Sequence, residues 1–500
     1  MSENTNSGFN DFVYPAQKYN RILPDLEDWI ECQELYWESI DDLGVELEGL
    51  WSSYKKTSSF DAKYLKRNER MFVYDVAIAN YATIIKDLIS NNFTRSRKAV
   101  GKIVELLKAE EEKGGVGLLH FSYNTSADKF IDPYIITGSN LWIFKSIYTY
   151  MLLSADLTHF KTITDCVIKY LLPLQVVDPE NKDGYGFIQA GYIHTGGDSY
   201  GYGIYNNIET QNVLENAVPL VVMEHNADYI DLLRLIALVM DKYQLMPYLR
   251  DQLIIRHAMV MQAVLRALNF SPDRIHWPAA IRLTGSERIN CSRAIDHYTW
   301  LASTFIGLDN EIPYNSINVL KNEFTTEINS IEIKEMRTIK DCVFKDNKTA
   351  RGLIFFAPDY DDFFVHIADE DKPKLAQMIQ PEATSGAIVF LHRFIDESTN
   401  DSRKKEAFEF MSTLTDGLIL IYDNYSAIFK NRNMGMPYAT KNIHDYFNSM
   451  PSMAATASFY IALQALKIDF PYFTGVKLPR DFEYALHMPA NNNELILSHK

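Results

Sequence analysis

The sequence contains little of what disulfide-rich, zinc-binding or linker-rich proteins are built from. Only 4 of its 500 residues are cysteine. Cys32, Cys166, Cys291 and Cys342 lie far apart, without a C-x-x-C pair or zinc-finger spacing to histidine, so we expect reduced, buried thiols. Glycine (22 residues) and proline (18 residues) are also scarce for this length. This excludes collagen-like and low-complexity chains.

Long apolar runs and clusters of positive charge are missing as well. No segment reaches the roughly 18 apolar residues that a membrane-spanning helix needs, and the first residues lack the basic and apolar regions of a secretory signal. We therefore expect a cytoplasmic protein without a membrane span, although signal-independent export stays open. The 65 acidic residues outnumber the 49 basic ones, giving a net charge of −16. A nucleic-acid partner is not expected, because phosphate-backbone binding needs a basic face.

Apolar residues at helical spacing are abundant. They recur at i, i+3, i+4 and i+7 through most of the chain, and strand-like alternation is confined to residues 352–356 and 363–367. One or two polar residues, followed by an aromatic residue and small residues, open a strongly apolar helix six times. These openings recur at intervals of 66 to 86 residues and are marked by Tyr74, Asn140, Glu224, Asp296, Glu382 and Ala454.

The repeat predicts six helical hairpins. Their partner helices are expected over residues 95–111, 157–172, 247–268 and 403–423. Because no hairpin can bury its apolar face alone, we predict an all-α (α/α)6 barrel, or toroid, with a minor β insertion near residues 329–364. The polar openings would then surround one mouth.

The predicted domain organisation has three parts. Residues 1–66 form an N-terminal helical segment, residues 67–480 the toroid domain, and residues 481–500 a C-terminal tail. A helical stretch expected over residues 25–54 supplies either the twelfth barrel helix or an appended element.

The order of the openings resembles the six-hairpin glycosidase-like superfamily, and in particular its bacterial members. The segments that carry the resemblance are YDVAIA, TGSNLW, EHNAD, DHYTW, PEATSG, GMPYAT and PSMAATASFYIA, between residues 74 and 462. Asn140 lies one position later than the family pattern, and Ala383 replaces a glycine. The resemblance implies the toroid and a carbohydrate-active enzyme. The fold alone does not decide the activity, because the same toroid carries hydrolases, lyases, epimerases and cyclases.

Glycoside hydrolysis needs two carboxyl groups that flank the scissile bond, about 5–5.5 Å apart in retaining enzymes and about 6.5–9.5 Å apart in inverting ones. We expect Glu224 to be the general acid, Asp228 or Glu382 to be the base that activates water, and the outcome to be inversion. Glu224 and Asp228 share one face of a helix, so Glu382 from another hairpin is the better opposing group. The structural alternative is that Glu224 caps its helix and that His225 and Asn226 satisfy buried polar groups.

Aromatic residues make up 13% of the chain and suit the stacking of sugar rings. The Gly- and Tyr-rich segment 184–207 is expected to form either a lid over the mouth or a surface hairpin. The expected partner is an oligosaccharide or polysaccharide; the oligomeric state stays open. No cofactor and no metal is expected, because nucleotide-binding glycine motifs and metal-ligand spacings are absent. The predicted substrate-binding residues are Tyr74, Asp75, Asn140, Trp142, Tyr192, His194, His225, Asn226, Asp296 and Tyr438.

Two other functions compete with glycoside hydrolysis. Asp359, Asp361 and Asp362 form a D-x-D-D motif, with which class II terpene cyclases present a protonated aspartic acid to an alkene. A solvated acidic loop or a cation site explains the same residues. The second alternative is a non-catalytic toroid that binds a glycan or a protein.

Overall fold

The computed structural model describes residues 12–36, 38–40, 43–54, 70–113, 116–124, 135–192, 217–269, 275–285, 287–290, 293–335, 338–358, 360, 367–429, 435–443, 447–468 and 475–476. The predicted binding residue His194 and the predicted motif Asp359, Asp361 and Asp362 lie outside the described residues.

Six helices form a closed inner ring. They are α2 (Val73–Ser90), α4 (Thr137–Ser154), α6 (Met223–Tyr243), α8 (His297–Leu301, π-helical), α11 (Pro381–Glu397) and α13 (Met453–Ala465). Each packs on the next, and α13 packs on α2, so the ring closes. Helix α4 is buried from Thr137 to Leu152, as expected of a helix that is apolar on every side. The predicted (α/α)6 barrel is confirmed.

An outer layer of helices covers this ring. It consists of α1 (Leu23–Cys32), α3 (Thr94–Glu112), α5 (Phe160–Cys166, continued by a π-helical turn over Val167–Leu171), α7 (Pro247–Asn269), α9 (Glu311–Val319) and α12 (Asp401–Ile428). A short helix, α10 (Lys372–Leu375), precedes α11. Helix α1 packs against α13, which gives the sixth inner helix its outer partner. Of the two roles expected for the N-terminal segment, the contact favours the twelfth barrel helix.

The helix expected over residues 25–54 is wrong beyond Cys32. The chain continues there into two short antiparallel strands, β1 (Ser39–Ile40) and β2 (Val45–Glu46). Leu43, Val45 and Leu47 are buried, whereas the residues between them are exposed. Burial at every second residue is the pattern of a strand, not of a helix.

Short strands lead into four of the inner helices. β3 (Arg70–Phe72), β5 (Ile135–Ile136), β7 (Leu220–Val222) and β15 (Pro451–Ser452) directly precede α2, α4, α6 and α13. Their antiparallel partners are β4 (Ser122–Asn124), β6 (Gly191–Tyr192), β8 (Ala280–Arg282) and β14 (Met436–Pro437), and β9 (Glu287–Ile289) extends the third pair. These pairs bring the helix N-termini to one end of the ring.

The expected β insertion is present between α9 and α11. β10 (Thr325–Ile328) pairs with β13 (Ala350–Leu353), and β11 (Ser330–Glu335) pairs with β12 (Thr338–Val343). β13 packs on α12. The amide of Glu332 in β11 donates a 2.9 Å hydrogen bond to the carbonyl of Thr440, so the insertion is attached to the loop before α13.

Three of the four cysteines lie within the described residues. Cys166 is buried as expected, but Cys342 is partly exposed and Cys32 is exposed, so the expectation of buried thiols is wrong for these two. In the part of the chain that the structure describes, we find no helix with the length and hydropathy of a membrane span.

Candidate active site

Three acidic residues from different hairpins meet at the mouth of the ring. Glu224 is the second residue of α6, Asp296 directly precedes α8, and Glu382 is the second residue of α11. Glu224 and Asp296 share a side-chain hydrogen bond. The carboxylate of Glu382 accepts hydrogen bonds from Tyr74 Oη (2.5 Å) and Gln380 Nε2 (3.2 Å).

These acids hold protons at unusually high pH. Burial, together with the charge of Asp228, raises the pKa of Glu224 to about 7. Burial and the charge of Glu224 raise the pKa of Asp296 well above its ordinary value, and burial raises the pKa of Glu382. Because two neighbouring carboxylates repel each other, the Glu224–Asp296 pair retains a proton at neutral pH.

Asp228 belongs to the same cluster but is deeply buried. Its side chain is 3% exposed, compared with 31% for Glu224. Lys145 Nζ lies 2.9 Å from Asp228 Oδ1, and Trp142 also donates a hydrogen bond to this carboxylate. Burial raises the pKa of Asp228 to about 6 against the opposing effect of Lys145. Asp228 is therefore largely ionised at neutral pH and ion-paired.

Aromatic rings pack edge-on beside the acids. Tyr74 and Trp142 have ring centroids 5.5 Å apart, and Trp142 and Trp300 have centroids 5.1 Å apart. Trp142 is 1% exposed and Trp300 8% exposed, whereas Tyr74 is partly exposed. Of these three rings, Tyr74 presents the most surface to a bound ligand.

Asn140 and Asn226 have the same structural role in two hairpins. Each is the fourth residue of its inner helix, and its amide nitrogen donates to the carbonyl four residues earlier, at 3.0 Å to Ile136 and 2.9 Å to Val222. Each side-chain oxygen accepts a backbone N–H, from Leu119 (2.8 Å) or Ile188 (2.9 Å).

Threonines take the same position in two further hairpins. Thr384 Oγ1 bridges the carbonyl of Gln380 and the amide of Leu353, and Thr456 Oγ1 bridges the carbonyl of Ser452 and the amide of Met436. Each of these four side chains therefore connects the start of an inner helix to a neighbouring segment by hydrogen bonds. Both asparagines are fully buried and bonded to backbone, so the geometry gives them a structural role rather than the expected contact with substrate.

The remaining predicted binding residues are spread around the same end. Asp75 is buried and hydrogen-bonded to Ser53, and its burial raises its pKa to about 8. Tyr192 Oη donates to the carbonyl of Tyr170 at 2.6 Å. Tyr438 is partly exposed and stacks on Phe447, with centroids 6.1 Å apart.

His225 is buried beside Glu224. Its Nε2 lies 3.9 Å from Glu224 Oε1. Burial lowers the pKa of His225 to about 3, so its ring is neutral. The N-cap residue of α6 is Val222 and makes no side-chain capping bond, so the capping part of the structural alternative is wrong, whereas Asn226 bonds buried backbone groups as that alternative expected.

Sequence reasoning missed Lys145, Gln380 and Trp300. Lys145 had a visible signal, since it is the one charged residue in the apolar stretch from Leu141 to Leu153. Ionic groups inside a fold require partners, and its partners Asp228 and Asp231 lie on α6. The contact of Trp300 with Trp142 can be recognised only after the hairpins are packed together, and that of Gln380 with Glu382 only after Glu382 is placed in the site. Among the described residues, no group of three or more His, Cys, Asp and Glu side chains could hold a metal ion.

Comparison with known proteins gives matches of structure. No protein-family model and no curated protein matches the sequence. The crystal structure of a D-mannose isomerase superposes with a TM-score of 0.50 at 10% identity, covering 90% of this chain and 99% of that chain. This match shows a shared (α/α)6 toroid.

Two other solved structures align with most of this chain. An unsaturated glucuronyl hydrolase from Streptococcus agalactiae has a TM-score of 0.48 at 10% identity, with 94% of this chain and 97% of that chain covered. A family 76 glycoside hydrolase from a bovine Bacteroides thetaiotaomicron strain has a TM-score of 0.46 at 10% identity, with 89% and 77% covered.

Proposed function

We propose that this toroid is a carbohydrate-active enzyme of the glycoside hydrolase type, which cleaves an oligosaccharide or polysaccharide by acid–base catalysis. The observation that carries the proposal is the meeting of the Glu224–Asp296 pair with Glu382 at one mouth. Glycoside hydrolysis needs one carboxyl group that is protonated and one that is ionised.

Glu224 is assigned the role of general acid. Its pKa of about 7 lies close to neutral pH, where a group can both hold a proton and donate it. Its side chain is 31% exposed, which allows contact with a substrate oxygen. Asp296 is 5% exposed and is assigned a supporting role as proton donor to Glu224, because the hydrogen bond between the two carboxyl groups raises the pKa of Asp296 and lowers that of Glu224.

Glu382 is assigned the role of base. The hydrogen bonds from Tyr74 and Gln380 stabilise its ionised form and fix its orientation. Asp228, the other candidate, is bound to Lys145 and almost excluded from solvent, so it is less suited to activating water. Inversion at the anomeric carbon stays a prediction of the proposed mechanism.

The test is a screen of oligosaccharides and polysaccharides with wild-type protein, Glu224→Gln and Glu382→Gln, in which reducing ends and bound sugars are measured. We expect sugar release by the wild type and a loss of about 10²- to 10⁴-fold in kcat for each variant, the range for removal of an acid or base catalyst. Glu409→Gln, on the exposed side of α12, is the matched control and should retain full activity. Release by Glu224→Gln at the wild-type rate would exclude the assigned acid.

Other outcomes of the same screen point to the competing functions. Sugar binding without turnover by all variants would indicate a non-catalytic glycan-binding toroid. If neither the wild type nor any variant releases or binds sugar, the cyclase is favoured, and polyprenyl substrates are then tested with wild type and Asp361→Asn. Where sugar is released, NMR of the first anomer formed separates inversion from retention.

A further inference from the structure

A buried lysine connects the acids at the mouth to the interior of the toroid. Lys145 lies in the third turn of α4 and is fully buried. Its Nζ is 2.9 Å from Asp228 Oδ1, 3.7 Å from Asp231 Oδ2 and 3.8 Å from the centroid of the Trp142 ring. A buried ammonium is costly unless its partners are ionised. The roles proposed for Glu224 and Glu382 do not explain why Lys145 is buried beside Asp228 and Asp231.

Asp231 has other partners that hold it in place. Its two carboxylate oxygens accept the backbone N–H groups of Gly475 and Val476, each at 2.8 Å. The Val476 carbonyl accepts a 3.0 Å hydrogen bond from Arg234 Nη1. A Cβ on Gly475 would lie 2.8 Å from the carbonyl oxygen of Ser303. This dipeptide is therefore enclosed within the ring, where it satisfies Asp231 independently of Lys145.

Lys145 consequently pairs mainly with Asp228. The contact to Asp228 is the shorter of the two, and Asp228 has no backbone donors comparable with those of Asp231 among the described hydrogen bonds. Asp228 lies four residues after Glu224 on α6, so the two side chains share one helix face. A fixed negative charge one helical turn away favours the protonated form of Glu224.

We propose that Lys145 is a positioning residue: it keeps Asp228 an ionised carboxylate one helical turn from Glu224, and this negative charge favours the protonated form of Glu224. The catalytic consequence rests on the proposed function, whereas the charge arrangement does not. The titratable groups that act on Glu224 are His225 and Asp228 on α6, Asp296 directly before α8 and Glu382 on α11. Lys145 on α4 and Tyr74 on α2 are hydrogen-bonded to Asp228 and Glu382, respectively.

The experiment measures the titration midpoint of Glu224 directly, by ¹³C NMR of protein labelled at the glutamate carboxyl groups, with Glu224→Gln to assign the signal. Asp228→Asn removes the repelling charge, so the midpoint should fall by about one pH unit, a tenfold change in proton affinity. Lys145→Met should also lower it, because Asp228 without its cation takes up the proton. In the Asp228→Asn background, Lys145→Met should produce no further fall.

This non-additivity separates positioning from a merely structural role, which would change the melting temperature without coupling the two residues. Lys161→Met, at an ion-paired lysine whose side chain is 86% exposed, is the control and should leave the midpoint unchanged. If Lys145→Met does not fold, the double variant, which removes both charges, supplies the comparison with Asp228→Asn. An unchanged midpoint in Asp228→Asn, or a further fall in the double variant, would overturn the inference.

The pH profile of kcat/KM adds a catalytic readout if the glycan screen finds a substrate. Its alkaline limb should move to lower pH in Asp228→Asn and in Lys145→Met, in parallel with the midpoint. If no glycan is cleaved, the proposed function fails while the NMR titration still decides the role of Lys145. If glycans are cleaved but the midpoint does not move, the inference fails and the proposed function survives.

Discussion

At the scale of single residues, the chemistry of this mouth depends on which polar groups are already satisfied by the fold. Asn140 and Asn226 use both ends of their amides on backbone groups. Glu224 and Tyr74 retain exposed surface, and Glu382 is held by two donors. A polar residue at the start of an apolar helix can therefore be either a structural hydrogen-bonding residue or a candidate catalytic group.

Removal of the Tyr74 hydroxyl should change the pH dependence of activity. Burial raises the pKa of Glu382, and the hydrogen bond that Tyr74 donates to the ionised carboxylate partly opposes this effect. In Tyr74→Phe the pKa of Glu382 should rise by about one unit. If Glu382 is the base, the acidic limb of kcat/KM moves to higher pH by the same amount.

Tyr36→Phe is the control, because Tyr36 is 50% exposed and contacts Glu34 rather than the site acids. The pH profile of kcat/KM of Tyr36→Phe should match that of the wild type. A Tyr74→Phe enzyme whose acidic limb stays in place, while its alkaline limb moves, would indicate that Glu382 acts as the acid instead.

The residue-level site could be predicted only in part from sequence. The carboxyls Glu224, Asp296 and Glu382 were predicted because each follows the same kind of helix opening. The structural alternative already expected Asn226 to satisfy buried polar groups. The role of Asn140 could not be predicted, because its partner Leu119 lies on a separate segment, 21 residues away. The contact of Lys145 with Asp228 likewise joins residues that are 83 positions apart, on two different helices.

At the scale of elements, the spacing of apolar residues predicted most helices and the β insertion, but not the short strands that precede four of the inner helices. The predicted partner helix over 247–268 corresponds to α7 (Pro247–Asn269), and the one over 95–111 to α3 (Thr94–Glu112). The entry strands are two or three residues long, too short for an alternating pattern to be recognised. Each pairs with a strand from another part of the chain, a contact that exists only in the folded ring.

Packing between elements reverses the usual effect of a glycine in a helix. Alanine normally stabilises a helix interior by about 1 kcal/mol relative to glycine. At Gly417 in α12, however, a Cβ would lie 1.9 Å from the carbonyl oxygen of Arg351 in β13. Gly417→Ala should therefore destabilise the protein by about 3 kcal/mol through overpacking, as measured by urea unfolding.

Gly101 in α3 provides the matched comparison. The nearest atom to a Cβ at this position is His159 Nε2, at 4.0 Å, which is ordinary contact. Gly101→Ala should therefore be neutral or stabilising by up to about 1 kcal/mol. Equal effects at the two glycines would contradict the close approach of β13 to α12.

At the scale of the whole molecule, the ring is closed by a segment from its N-terminal side. The carbonyl of Ser53 accepts the amide of Met453, at the start of α13, at 2.8 Å. Ser53 Oγ accepts the amide of Phe72, which directly precedes α2, at 2.7 Å. Ser53 is thus bonded to both inner helices that meet where the sixth hairpin returns to the first. Asp75 lies at this junction and is hydrogen-bonded to Ser53.

This junction should make stability depend on pH. Burial raises the pKa of Asp75 to about 8, against about 3.9 in an unfolded chain. The folded protein therefore binds this proton more tightly than the unfolded chain between these values. The stabilisation is fully present below about pH 4 and is lost as the pH rises through 8.

Asp75→Asn removes the titrating group from the junction. The melting temperature of the wild type should fall between pH 6 and 9, and the variant should show a smaller fall over this window. Some pH dependence will remain, because the pKa values of Glu224 and Asp228 are also raised. Asp251→Asn, at a side chain that is 69% exposed, should follow the wild-type curve. If Asp75→Asn follows it too, Asp75 is ionised at this junction throughout, and closure of the ring there does not depend on its proton.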